Sequence, residues 1–122
     1  MGLLHSLFES VKLTVNDISD KLNDSESLKG LVRHNENLSM PAYNKVVLAA
    51  MKEPNHAIRN QHVYHLLNSP LVADIHLTAL VKGIHTGNTE HEYDERLEKR
   101  LLIKAKHPKW IQRLIDKEKN KG

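Results

Sequence analysis

SMPAYNKVVLAAMKEPNHAIRNQHVYHLLNSPL, residues 39–71, decides the fold. Ser39 can cap a helix whose first turn holds Pro41, a position where a missing N–H costs nothing. Tyr43, Val46, Val47, Ala50 and Met51 recur at three- and four-residue spacing, which predicts a helix with one buried side. Pro54 ends it, and Asn55 caps another helix over about residues 56–67. Ser69-Pro70 repeats the cap-then-proline device for a helix running to about Ile84.

The pattern continues in both directions. Leu71, Val72, Ile75, Leu77, Ala79, Leu80, Val81 and Ile84 leave little polar surface on that helix, as expected of a central one. Gly83 and the stretch His85-Thr86-Gly87-Asn88 read as its end. Thr89 with Glu92 is a capping box that opens a helix over about residues 90–106, with Tyr93, Leu97, Leu101 and Ala105 four apart. His107-Pro108 breaks it before a short last helix carrying Trp110, Ile111, Leu114 and Ile115, and a basic tail over 117–122 is expected to fray. Upstream, Leu4, Leu7, Phe8, Val11, Val15, Ile18 and Leu22 draw an amphipathic helix over residues 3–22. A shorter helix capped by Ser25 carries Leu28, Leu31 and Val32, weakened at Gly30 by about 1 kcal/mol relative to Ala. Residues 35–38 read as polar loop. The expected fold is all-α: a single domain over 1–122, a compact multi-helix bundle of about seven short helices with antiparallel neighbours.

Composition bounds the function. A chain of 122 residues buries roughly two-thirds of its unfolded surface without staples. With no cysteine, disulfides, thiolate metal sites and cysteine nucleophiles are excluded. No apolar run approaches the ~20 residues that span a bilayer, and the start lacks a secretory pattern. A soluble, cytoplasmic protein with no membrane association is the expectation. Met1-Gly2 with Ser6 fits the loose myristoylation pattern, but an initiator Met ahead of an amphipathic helix is the plainer reading. The apolar stripe of that helix suits a core or a dimer equally, so homo-oligomerisation stays open.

Residues 53–59, Glu-Pro-Asn-His-Ala-Ile-Arg, sit between two helical segments. This resembles the turn and second-helix start of a HEAT repeat, in which an acidic residue and proline precede a Val-Arg or Ile-Arg pair. The resemblance covers about residues 41–67. It departs at His62, where the family places a small residue three positions after the arginine. It implies HEAT-like helical hairpins and a stacked-helix surface that binds proteins or nucleic acid.

Little in the chain reads as catalytic. The five glycines are dispersed and form no phosphate loop. No two carboxylates stand out as an acid–base pair, and Ser6, Ser25, Ser39 and Ser69 read as caps or surface residues. The chain is therefore expected not to be an enzyme. Nine histidines invite a metal site, with His56, His62, His65, Asp74 and His76 close in sequence and His91, Glu95 and Glu98 on one later helix face. The spacing matches no ligand signature, and hydrogen-bonded helix histidines and macrodipole-compensating acids explain it better. No metal or cofactor is assigned.

Two surfaces remain. Arg59, His62 and His65 form a stripe on the fourth helix that, if exposed, is a contact for a protein partner. At the other end, residues 96–122 carry ten Lys or Arg against three acids, although the whole chain is only +3. Lys99, Arg100, Lys104, Lys106, Lys109 and Arg113 surround Trp110 there, a pattern suited to phosphates and one stacked base. A small non-enzymatic module that binds a macromolecule, foremost a protein as adaptor or inhibitor, is the expectation. The alternative is nucleic-acid binding through residues 99–121.

Overall fold

The structure is a computed structural model and describes residues 12–85 and 95–120. Of these residues 76% are helical and none forms a strand, so the fold is all-α. Among the described residues seven α-helices follow one another: α1 (Val15–Ile18), α2 (Ser25–Arg33), α3 (Met40–Ala50), α4 (His56–Leu67), α5 (Asp74–His85), α6 (Glu95–Lys104) and α7 (Pro108–Lys119).

The two helices of the opening stretch form as their sequence dictates. The Ser39 hydroxyl accepts the Ala42 N–H with Pro41 in the first turn of α3, and the Asn55 side chain accepts the Ile58 N–H at the start of α4. No glycine closes α4. Its last carbonyls are met both locally and from afar: the Ser69 N–H and the Tyr43 hydroxyl donate to the Leu66 carbonyl at 3.2 and 2.7 Å, and Asn35 Nδ2 donates to that of His65 at 3.1 Å. Asn35 is therefore buried in a short 3₁₀ turn over Asn35–Asn37, where the sequence suggests polar loop.

Helix α5 packs against α3, α4, α6 and α7, which makes it the centre of the bundle. Leu77, Leu80, Val81 and Ile84 lie in one core with Val46, Leu66, Leu101 and Ile111. Gly83 does not end this helix. It lies inside α5, and a Cβ there would stand 2.1 Å from Met51 Sδ, so the glycine leaves room for the Met51 side chain at the end of α3.

Four boundaries differ from expectation. The first helix is not continuous through residue 14: Leu13 forms an isolated bridge with Leu38, and Thr14 and Asp17 make a capping box that starts α1 afresh. Residues 3–11 of that expected helix lie outside the described residues. Asp24, one residue earlier than Ser25, caps α2. Helix α5 begins at Asp74 because Ser69 turns its hydroxyl onto the Leu71 N–H, and the Ala73 N–H goes to His76 Nδ1 at 3.0 Å. The Thr89–Glu92 box also lies outside the described residues. The last helix runs through Lys119, past the Lys117 where fraying was expected, and Lys119 Nζ reaches Glu98 on α6 at 3.2 Å.

Candidate nucleic-acid interface

The α4 stripe is not a surface. Arg59 and His62 are each only 4% exposed, and of the three expected contacts only His65 faces solvent. The reason is register: Arg59, His62, Val63, Leu66 and Leu67 follow the i, i+3, i+4, i+7, i+8 spacing of one helix face, and that face is the buried one. Arg59 Nη1 reaches back to the Glu53 carbonyl at 3.3 Å, tying α4 to the turn before it. Burial pushes the His62 imidazole below its ordinary pKa, with Glu53 opposing and His65 and Lys29 adding to the shift. His65 lines a cavity of about 480 Å³ with Arg33, Gln61 and Tyr64.

The histidine and aspartate considered as metal ligands are engaged otherwise. His76 sits at the third position of α5, where its Nδ1 accepts the Ala73 N–H and its Nε2 pairs with Asn44 Oδ1 on α3. This fixes the neutral tautomer with hydrogen on Nε2. Burial lowers its pKa too. Among the described residues no group of three His, Asp or Glu is placed to hold a metal ion. His91 lies outside them.

The basic end does gather. Asp74, at the first position of α5, accepts the backbone N–H groups of Lys106 at 2.8 Å and His107 at 2.9 Å. This double bond pins the turn between α6 and α7 against the central helix. Pro108 then takes the first position of α7, with its φ preset for the helix. Ile111 and Ile115 bury completely, and Trp110, one step round the helix from Ile111, emerges at 45% exposure. Lys106, His107, Pro108, Lys109, Trp110 and Arg113 line one open cavity of about 470 Å³ there.

Four of the seven residues expected for nucleic acid, Lys106, Lys109, Trp110 and Arg113, are thus brought together. The other three are not part of the cavity. Lys99 and Lys104 are exposed on α6, and the Arg100 guanidinium stacks over the Tyr64 ring at 4.7 Å, a cation–π contact joining α6 to α4. Sequence reasoning passed over His107 and Pro108 as mere breakers and Asp74 as a weak metal ligand. The proline-then-Trp spacing signals the first two, whereas nothing in the sequence pairs Asp74 with a turn 32 residues away.

Lys109 and Arg113 are four apart, hence on the same side of α7 one turn from each other, and Arg113 neighbours Trp110 at three. The cavity therefore presents an apolar ring bordered by cations. No helix of the described residues is long and apolar enough to cross a membrane. No protein-family model, curated protein or solved structure matches the chain.

Proposed function

We propose that this chain is a helical binding module whose partner is nucleic acid, engaged through the turn between α6 and α7 and the first half of α7. One observation carries the reading: half-exposed Trp110 shares a cavity with Lys106, Lys109 and Arg113. Clustered cations bind phosphates by releasing condensed counterions, and an exposed aromatic ring adds an apolar platform. The +7 balance of residues 96–122 extends the favourable field beyond the cavity. A protein partner on α4 has only His65 of its three expected contacts at the surface, so that reading is the weaker one. The HEAT-like hairpin over α3 and α4 fits either partner; there Arg59 ties the turn from inside.

The test is binding of labelled 20-nucleotide DNA and RNA at 50 and 200 mM salt. Three cations imply that log K falls with log salt with a slope of roughly −2 for a single strand. Lys109→Glu with Arg113→Glu should remove binding without changing the melting temperature, since both side chains are exposed. Flat salt dependence, or equal binding by that variant, would overturn the proposal.

A further inference from the structure

We infer that the Trp110 cavity takes one unpaired nucleobase, stacked on the indole, while Lys109 and Arg113 hold the phosphates that flank it. The inference rests on the nucleic-acid reading and makes it specific for single strands. Three features support it. The ring lies in a cavity and not on a convex face, and about 470 Å³ is within the ~300–1,000 Å³ range of small-ligand sites. A base inside a duplex has its faces covered by its neighbours, so an unstacked base is the kind that can lay a face on the indole. The cations border the ring on the same helix at helical spacing, so one occupant meets both apolar and charged groups.

Of the nearby carboxylates, Asp74 accepts two backbone N–H groups and holds the cavity wall formed by Lys106 and His107, and Asp116, three residues after Arg113 on α7, accepts from Gln112 Nε2 at 3.0 Å. Asp74 acts as a positioning residue for the cavity. The cavity of about 480 Å³ beside His65 also has a ring, Tyr64, but Arg33 is the single Lys or Arg in its lining and the Arg100 guanidinium already stacks on that ring. The cavity beside Leu48 is bordered by Lys45, Lys52 and Glu53, of mixed sign, with no aromatic ring.

Trp110 is the only tryptophan, so its fluorescence reports on this cavity alone. The experiment titrates the wild-type chain with a 12-nucleotide thymidine strand, the same strand made abasic, a 12-base-pair duplex and poly-glutamate of matched charge. The expected result is quenching by the base-bearing strand only, with about tenfold weaker binding of the abasic strand. Trp110→Ala should bind the base-bearing and abasic strands equally, and Trp110→Phe should recover part of the difference. Asp74→Asn should weaken the base-bearing strand more than the abasic one. Abasic or duplex DNA bound as tightly as the base-bearing strand, with no quenching, overturns the base cavity and leaves the nucleic-acid reading standing. Poly-glutamate bound as tightly as any strand, or no salt-sensitive binding at all, overturns both.

Discussion

Arg59 and His62 show how one helix face decides a residue's role. A carboxylate placed at His62 is removed from water on this buried face, which is expensive in a folded interior. His62→Glu should therefore lower stability by about 3 kcal/mol or more, read as a shifted urea midpoint. An unchanged midpoint would mean the ring faces solvent. His62 and His76 both have folded-state pKa values below the ordinary ~6.5, chiefly through burial. Below that value the unfolded chain binds protons that the folded chain refuses. Their contribution is thus complete above about pH 7 and is lost as the pH falls through 6.5 and below. Thermal melts from pH 7.5 to 5 should show this decline. His76→Gln should flatten it, because a glutamine at this third helix position can still accept the Ala73 N–H. Both histidines lie on faces with apolar neighbours at helical spacing, and that register was legible in the sequence. Grouping Arg59 and His62 with exposed His65, and not with Val63, Leu66 and Leu67, put them on the wrong side.

Helix ends capped from afar were illegible, and those capped locally were legible only in part, since the Thr14–Asp17 box and the Asp24 cap were not read. Ser39, Asn55 and Pro108 mark their helices in the sequence itself. The close of α4 could not be read, because its carbonyls are met in part by Tyr43 and Asn35, more than twenty residues upstream. Asn35→Ala should cost about 1–3 kcal/mol by leaving buried carbonyls without a donor, and a urea midpoint equal to wild type would refute that role. Gly83 also belongs to this scale, since it was read as a stop and serves as the point where α3 and α5 meet. Gly83→Ala would gain up to about 1 kcal/mol of helix propensity, yet the new methyl meets Met51 along most of its side chain. The expected net effect is a loss of about 1–3 kcal/mol from overpacking. Met51→Ala in the same chain should recover part of it, and a double-mutant cycle with no coupling would contradict the contact.

Across the whole molecule, the all-α class and the basic end followed from spacing and charge, whereas the candidate surface depended on how distant segments meet. The central helix α5 does two jobs here. Its apolar sides join the core, and its first residue, Asp74, holds the turn that opens the Trp110 cavity. Charge alone drew the candidate surface over residues 99–121, but packing divides it, turning Arg100 toward Tyr64 and collecting Lys106, Lys109 and Arg113 around the indole. Nucleic acid is proposed to bind at this corner. Amide and indole chemical shifts, followed by NMR as a single-stranded 12-mer is added, locate the contact. The largest changes should fall on residues 106–113 and the Trp110 indole N–H. Changes centred on Arg33, Gln61, Tyr64 and His65, or spread evenly over every exposed lysine, would contradict the proposal.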